Sequence, residues 1–340
     1  MKLGKEHQAI DNTQKSKIVG VLACALLLAL CSPAEAQPVK KIPRIGFLAA
    51  LSASAISARV EAFQQGLAEL GYVEGKNIVV EYRWANGKFE QVPALAAELV
   101  NSKLDIIVTA GPTDTRAAKQ ATSTIAIVMA FDNDPVGSGF VATLARPGGN
   151  ITGLSTLTPE TTGKRLELLK EIVPKLGRAV VFGTSTEPGK EQSLKETETA
   201  AAALGIHLRY IEIGSPINIE PAFREAVRDR ADAVLVLNSP VLNSRRGELA
   251  ELAIKSRLPT AYGQGEYVQA GGVMSYGPNI VELFRRTGAY VDKILKGAKP
   301  SELPVQQPKT FEFIINLKTA KQIGLTIPPN VLTRADRVIR

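Results

Sequence analysis

Cysteine, histidine and tryptophan are scarce in this chain of 340 residues, which has two cysteines, two histidines and one tryptophan. Both cysteines, Cys24 and Cys31, lie in an N-terminal segment that we predict to be removed. The mature chain would then have neither a disulfide nor a thiol nucleophile. Beyond that segment the single histidine, His207, has no companion at metal-ligand spacing. We therefore expect no metal and no cofactor.

The motifs of several enzyme classes are also missing. The sequence has no Gly-x-x-x-x-Gly-Lys-Ser/Thr phosphate loop and no Gly-x-Ser-x-Gly nucleophile elbow. Residues 137–142 imitate a dinucleotide fingerprint, but Asp134-Pro135 separates them from the preceding predicted strand. The net charge of +8 is spread among acidic residues, and aromatic residues make up only 5%, so we expect no nucleic-acid partner. These absences favour binding over catalysis.

The N-terminal segment has the pattern of a signal peptide. A polar stretch with four lysines precedes an apolar run of 13 residues at 18–30, and Ala34-Glu35-Ala36 follows as a cleavage site. A bilayer span needs about 20 residues, so this run is too short to cross a membrane. We predict cleavage after Ala36 and a periplasmic mature protein. The alternative is a lipid anchor at Cys31, although Leu30 stands where that signal requires a small residue.

The stretch from Leu104 to Gln120 is the clearest folding signal in the chain. Its run Ile106-Ile107-Val108 is short, continuous and β-branched, which is typical of a parallel strand covered on both faces. Gly111-Pro112 ends the strand, and we expect Thr113 and Asp114 to cap the helix that follows. A strand, a polar turn and a helix N-terminus at the carboxyl end of a strand form the place where open α/β sheets bind ligands.

A similar pattern occurs twice. Strands alternate with predicted helices of 10 to 15 residues throughout, which indicates α/β structure with parallel sheets. Three landmarks recur at offsets of 134, 134 and 127 residues, namely Arg44 and Arg178, Gly71 and Gly205, and Asp105 and Asp232. The offsets favour two similar βαβα halves in tandem, with chance similarity of α/β units as the alternative. We place the exit from the first half just after Arg146-Pro147-Gly148-Gly149-Asn150.

The candidate site residues follow from the predicted strand ends. We expect ligand contacts from Ser52, Ser54, Gly111, Pro112, Thr113, Asp132, Asn133 and Asp134 in the first half, and from Thr184, Ser185, Asn238, Ser239, Tyr262, Glu266 and Tyr276 in the second. The hydroxyl groups lie at predicted helix N-termini, which suit a carboxylate. The only tryptophan, Trp84, lies outside the predicted cleft, so stacking on a sugar is not favoured.

The acidic residues among these candidates suggest that the ligand has a positively charged group. Asp132, Asp134 and Glu266 are predicted acceptors for an ammonium group, and the tyrosines are predicted to cover an apolar side chain. The alternative for Asp132 and Asp134 is a turn and a helix cap formed by their own side chains. We therefore expect an amino acid or a similar small zwitterion rather than a sugar.

A set of motifs resembles a known family. The motifs are GLAELGYVEGKNI at 66–78, DPVGSG at 134–139, LARPGGNITG at 144–153, GGVMSYGPN at 271–279, AYVDKILKGAKP at 289–300 and NLKTAKQIGLTIP at 316–328. In this order they resemble the substrate-binding proteins of ABC transporters related to the tryptophan and aromatic amino-acid binders. The resemblance implies a type I periplasmic-binding-protein fold, in which two Rossmann-like lobes with parallel sheets are joined by a multi-strand hinge.

The same resemblance implies the domain limits and the partners. The N-terminal lobe would comprise residues 37–153 and 277–305, and the C-terminal lobe residues 154–276 and 306–340. The helix predicted at 279–297 would return to the first lobe. We expect a monomer that binds a small molecule and delivers it to an inner-membrane ABC permease. The alternatives are a secreted α/β enzyme acting on a small polar substrate and a ligand-sensing subunit for a membrane receptor.

Overall fold

A five-stranded parallel sheet forms the first half of the structure. The computed structural model describes residues 41–184, 187–214 and 218–340, so the predicted signal peptide and Ser185 lie outside the described residues. The elements are β1 (Arg44–Ala49), α1 (Ser57–Ala68), β2 (Val79–Trp84), α2 (Val92–Asn101), β3 (Ile106–Thr109), α3 (Pro112–Ala121), β4 (Ala126–Asp132) and β5 (Ile151–Ser155). The strands lie in the order β2-β1-β3-β4-β5.

The second half contains a seven-stranded sheet. Its elements are α4 (Thr158–Ile172), β6 (Arg178–Gly183), α5 (Lys190–Leu204), β7 (His207–Glu212), α6 (Glu220–Arg228), β8 (Ala233–Val236), α7 (Pro240–Ser244), α8 (Arg246–Ser256), β9 (Thr260–Tyr262), α9 (Gly265–Gln269), β10 (Met274–Pro278), α10 (Ile280–Leu295), β11 (Phe311–Asn316), α11 (Leu317–Gln322), α12 (Pro329–Leu332) and β12 (Arg337–Ile339). The order is β12-β11-β10-β9-β8-β6-β7, with only β10 and β11 antiparallel.

The two sheets share one topology. The strand order β7-β6-β8-β9-β10 of the second sheet repeats the order β2-β1-β3-β4-β5 of the first. Both halves also reuse one local contact: the Asp105 carboxylate accepts a hydrogen bond from the Arg44 N–H, and Asp232 accepts one from the Arg178 N–H. This arrangement is what two tandem βαβα halves would give. The predicted α/β class with parallel-rich sheets is confirmed.

The strand at the centre of the first sheet is buried on both faces, as its sequence predicts. Ile106 and Val108 pack into the cluster that contains Phe47 and Phe63, whereas Ile107 packs into the cluster on the opposite face. Alternate residues of a strand point to opposite faces, so a continuous apolar run needs a helix layer on each side. The resulting sandwich fixes the carboxyl end of β3 at the edge where the candidate ligand residues lie.

Two elements at the passage from the first half to the second were not predicted from the sequence. β5 follows the breaker cluster directly and contains a glycine with positive φ, Gly153, which weakens its strand signal. α4 begins with Thr158 and Pro159 and carries polar and charged residues between its leucines. β5 joins the first sheet, and α4 packs against strands of the second, so the chain passes from one half to the other between them.

The chain crosses between the halves twice more. After β10 it enters α10, whose Leu283, Phe284 and Val291 pack into the core beside the first sheet. It then runs along β5, where the Gln306 N–H donates to the Gly153 carbonyl at 3.0 Å, before β11 joins the second sheet. The predicted domain limits stay a prediction, since they depend on where within these crossings the boundary is drawn.

The contact between α1 and α10 depends on two glycines. A Cβ atom at Gly288 would lie 2.6 Å from the carbonyl carbon of Gly66, and one at Gly66 would overlap the carbonyl oxygen of Arg285. The two helix backbones therefore touch directly, and only glycine fits at these positions.

We expect Gly288→Ala to lower the free energy of unfolding by about 1–3 kcal/mol, because the added methyl group overpacks a backbone contact. The matched control is Gly163→Ala in α4, where a Cβ atom meets its nearest neighbour at 3.4 Å. This change should be neutral or stabilising by up to about 1 kcal/mol, because alanine is the better helix former. Chemical denaturation measures both. Equal effects of the two substitutions would contradict the close contact.

Candidate ligand-binding site

A cavity lies between the carboxyl ends of the two sheets. Its apolar wall consists of Ala49, Ala50, Leu51, Ile56, Ala110, Pro112, Phe131 and Pro240, and its polar wall of Arg59, Thr113, Asp114, Asn133, Glu187, Asn238, Ser239, Asn243 and Gln264, with Gly111 completing the lining. Both halves contribute, so a ligand there would contact both at once.

Six of the predicted site residues meet in this cavity. They are Gly111, Pro112, Thr113 and Asn133 from the first half, and Asn238 and Ser239 from the second. All follow β3, β4 or β8 directly, so their strand ends place them at the facing edges. The topological argument for the carboxyl ends of parallel strands therefore located loops that line this cavity.

Other predicted residues lie elsewhere. Ser52 and Ser54 hydrogen-bond to each other at 3.2 Å outside the cavity, and Thr184 lines a smaller adjoining void. Tyr262 is buried in a stack with Tyr267, whose ring centroid is 4.6 Å away. Tyr276 stacks on Phe311, at 5.8 Å. These tyrosines were expected at the ligand, but their side chains point into the layers beside the sheet instead of emerging at its edge.

The start of α3 differs from the expectation that Thr113 and Asp114 cap it. Gly111 is the N-cap residue, and Pro112, Thr113 and Asp114 already belong to the first turn. Proline is favoured at this first position because its missing N–H has no helical partner there and its φ angle is preset. The helix therefore begins earlier than predicted, and the side chain of Asp114 lies in the cavity wall.

None of the three carboxylates predicted to accept an ammonium group lines the cavity. Asp134 accepts a hydrogen bond from the Gly137 N–H at 2.9 Å, and Asp132 accepts one from the Asp134 N–H at 2.9 Å. These are the turn and cap contacts of the alternative interpretation. Glu266 forms an ion pair with Arg59. Each of the three carboxylates thus already accepts at least one hydrogen bond from within the protein.

Two other carboxyl groups take their place in the cavity. Asp114 is 3% exposed, and its Oδ1 atom has no hydrogen-bond partner among the described residues. Glu187 is 6% exposed and accepts from the amide of Asn133 at 3.2 Å and from the hydroxyl of Thr113 at 3.5 Å. Burial raises the pKa of both, and for Glu187 the nearby Asp132 and Asp114 raise it further. Buried carboxyls without a cation favour the protonated form.

The sequence contains only weak signals for these two groups. Asp114 stands three residues after Gly111 in the organising stretch, where its helix position suggests a cap rather than a ligand contact. Glu187 follows β6 in the second half, as the Ser52 region follows β1 in the first. A tandem comparison of the two halves would have pointed to this loop, although it would not have singled out Glu187.

A buried arginine joins the two halves at one side of the cavity. Arg59 on α1 is 3% exposed, and its guanidinium donates to both carboxylate oxygens of Glu266 on α9, with Nε 2.8 Å from Oε1. The same guanidinium donates to Gln264 at 3.1 Å, and Asn243 donates to Gln264 at 2.9 Å. Burial alone would raise the pKa of Glu266, but Arg59 and the Asn243 amide outweigh it and lower the pKa. No sequence signal indicated this arginine.

Glu187 makes the corresponding contact on the other side. It belongs to the second half, whereas its partners Thr113 and Asn133 belong to the first. The contacts that join the halves thus include the ion pair of Arg59 with Glu266, a hydrogen bond from the Arg246 guanidinium to the Ala55 carbonyl at 3.3 Å, and the contact between neutral donors and a carboxyl group at Glu187. The carboxylate of Glu266 has a positively charged partner, whereas the carboxyl group of Glu187 has neutral donors, so the two sides of the cavity differ electrostatically.

The described residues contain no cluster of three or more His, Cys, Asp or Glu side chains arranged to hold a metal ion. Within the same ranges, no helix combines the length and the apolar composition that a membrane crossing requires.

We expect the unliganded protein to lose stability as pH rises from about 4 to 8. Burial raises the pKa of Asp132 to about 8, although the hydrogen bond from the Asp134 N–H opposes the rise. An unfolded aspartate has a pKa of about 3.9, so between these values the folded state binds more protons. Its free energy of unfolding then falls by up to about 1.4 kcal/mol per pH unit for this group.

The variant Asp132→Asn removes this titration while keeping the acceptor oxygen for the Asp134 N–H. Thermal denaturation across this pH range should give a smaller slope for the variant than for the wild type. Identical slopes would contradict the buried titration of Asp132.

Comparison with known proteins agrees with this architecture. Residues 44–339 match the model of the family described as ABC transporter substrate binding protein. A tyrosine-binding protein of Clostridioides difficile (strain R20291) is 24% identical over 317 residues, covering 91% of each chain.

Two solved structures are similar over most of the chain. A conserved domain protein from Vibrio cholerae is 29% identical with a TM-score of 0.83, covering 88% of this chain and 100% of that one. An ABC domain from Streptococcus pneumonia in complex with L-Trp is 27% identical with a TM-score of 0.82, covering 87% and 99%. The predicted family resemblance is therefore confirmed.

Proposed function

The chain belongs to the ABC transporter substrate-binding protein family, whose members bind their ligands without transforming them, and we propose that it binds an amino acid or a related small zwitterion between its two lobes. The observation that carries this proposal is the pairing of two uncompensated carboxyl groups with an apolar wall in one enclosed cavity. Such a cavity suits a ligand that has an ammonium group and an apolar body.

The ammonium group would lie between Asp114 and Glu187. Each carboxyl is buried, and Asp114 has an oxygen atom with no partner among the described residues. A cation placed there would favour the charged form of both groups and form charge-assisted hydrogen bonds, which are about twice as strong as neutral ones. Because the two groups come from different halves, the ammonium group would also hold the halves together.

The apolar part of the ligand would contact Leu51, Ile56 and Phe131, which line the cavity and belong to one apolar cluster of the first half. The similarity to a tyrosine-binding protein and to a domain solved with L-Trp supports an aromatic amino acid. An aromatic ring would gain contact with the Phe131 ring, beside which the Arg59 guanidinium already lies at 5.7 Å.

Binding would close the lobes about a hinge. The lobes would comprise residues 37–153 with 277–305, and 154–276 with 306–340, and the three chain crossings would form the hinge. A ligand favours the closed state only through contacts that the open state lacks. Simultaneous contact with Asp114 and Glu187 meets this condition. We further propose that residues 1–36 direct export to the periplasm and that the mature monomer delivers its ligand to an inner-membrane ABC permease.

We expect Asp114→Asn and Glu187→Gln each to weaken binding of L-tyrosine or L-tryptophan by about 10- to 100-fold, the effect of losing a hydrogen bond to a charged group. The empty variants should be at least as stable as the wild type, because each replaces a buried acid by a neutral group of the same shape. Isothermal titration calorimetry measures affinity, and thermal denaturation measures stability.

The matched control is Glu212→Gln, which changes an exposed carboxyl of the second half and should leave affinity unchanged. The proposal is contradicted if amino acids leave the wild-type melting temperature unchanged and neutral sugars raise it. It is also contradicted if both site variants bind amino acids as tightly as the wild type.

A further inference from the structure

We propose that the cavity recognises its ligand mainly through the ammonium group, so that an amine without a carboxylate binds about as well as the amino acid, whereas the acid without an amine does not bind. This inference rests on the proposed function and narrows its ligand class to primary amines with an apolar body. It follows from the unequal supply of positive and negative charge around the cavity.

Negative charge is in excess. Asp114 has an unpartnered Oδ1 atom, and its one identified hydrogen bond comes from the backbone of Ala50. The side chains that donate to Glu187 among the described residues are those of Thr113 and Asn133, both of which are neutral. Asp132 lies behind them, fully buried, with its Oδ2 atom unpartnered among the described residues. The exposed Arg116 acts electrostatically on Glu187 and Asp132, but their pKa values stay raised.

Positive charge at the cavity is already engaged. Arg59 is the guanidinium in the lining, and Glu266 binds it through both carboxylate oxygens. Gln264 accepts a further hydrogen bond from the same group. A bidentate arginine–carboxylate pair is among the strongest side-chain contacts, so a ligand carboxylate would have to displace Glu266 to reach Arg59.

The partial positive charges of the helix N-termini at this edge are also balanced by side chains of the protein. The first turn of α3 contains Asp114, that of α5 contains Glu191 and that of α9 contains Glu266. At α7 the Ser239 hydroxyl accepts the Leu242 N–H. Acidic and hydroxyl side chains in these positions already interact with the partial positive charge that an incoming carboxylate would use. A ligand carboxylate therefore finds little new stabilisation, whereas an ammonium group finds two carboxyls without a counter-charge.

The test compares three probes that share one phenol ring: L-tyrosine, tyramine and 3-(4-hydroxyphenyl)propionate. Isothermal titration calorimetry on the mature protein should give a Kd for tyramine within about tenfold of that for L-tyrosine. The propionate should bind at least about 100-fold more weakly, because it offers nothing to Asp114 and Glu187 and adds a negative charge beside them. The series L-tryptophan, tryptamine and indole-3-propionate repeats the comparison with a larger ring.

Two variants test the part assigned to Arg59. Arg59→Gln should weaken the binding of L-tyrosine and of tyramine by the same factor, because the arginine acts by joining the halves. Glu266→Gln should release Arg59 from its carboxylate and so increase affinity for L-tyrosine relative to tyramine, by about tenfold. The second variant keeps a side chain of the same shape, so it serves even if Arg59→Gln does not fold.

The inference is overturned if tyramine binds about 100-fold more weakly than L-tyrosine, or if Arg59→Gln removes the preference between them, since either result makes Arg59 the carboxylate partner. An unchanged preference in Glu266→Gln would also contradict it. A different result would contradict the proposed function, namely that no amino acid and no amine binds. If L-tyrosine binds tightly and tyramine does not bind, only the inference is contradicted.

Discussion

The two halves bury carboxyl groups from both of them around one cavity, and within residues 41–184, 187–214 and 218–340 neither Asp114 nor Glu187 has a lysine or arginine among its identified hydrogen-bond partners. A buried carboxylate without a partner is unfavourable by several kcal/mol or more, so such groups become protonated or wait for a cation. The remaining features of the site follow from this constraint. The pKa values of Asp114, Asp132 and Glu187 are raised, and their surroundings become most favourable when a ligand brings positive charge.

The ion pair of Arg59 with Glu266 has a different part in closure. A buried ion pair adds little net stability, because desolvation offsets most of its Coulomb attraction, but its fork geometry fixes the relative position of the groups that carry it. Arg59 and Glu266 therefore set the register in which the halves meet, while under the proposed function a ligand at Asp114 and Glu187 would decide whether they stay together. Closure would then depend on the ligand even though the protein supplies a strong contact of its own.

The sequence predicted the parts of this arrangement that depend on local pattern. The β-branched run of β3 indicated a strand buried on both faces, and the rule for carboxyl strand ends located the loops at Gly111, Asn133 and Asn238. The sequence did not predict site residues whose position depends on the direction of a side chain or on a partner far away in the chain. Asp134 looked like a ligand contact because it follows β4, yet the nearby Gly137 N–H takes its carboxylate.

Arg59 and Glu187 are residues of the cavity that the sequence did not indicate. Neither stands in a motif, and each owes its role to residues far away in the chain, 207 positions for Arg59 and Glu266 and 54 for Glu187 and Asn133. From the sequence alone, a buried arginine on a helix cannot be distinguished from the exposed arginines of other helices. Such pairings become visible only when the two halves are placed face to face.

The central claim is that the cavity carboxyls hold protons until a cationic ligand arrives. Proton exchange on binding tests it directly, by titrating L-tyrosine into the mature protein at pH 7 in buffers of different ionisation enthalpy. Because the cation would favour the charged form of both carboxyls, we expect release of up to two protons per ligand bound, seen as a binding heat that changes linearly with the buffer's ionisation enthalpy. A heat independent of the buffer, or uptake of protons, would contradict it.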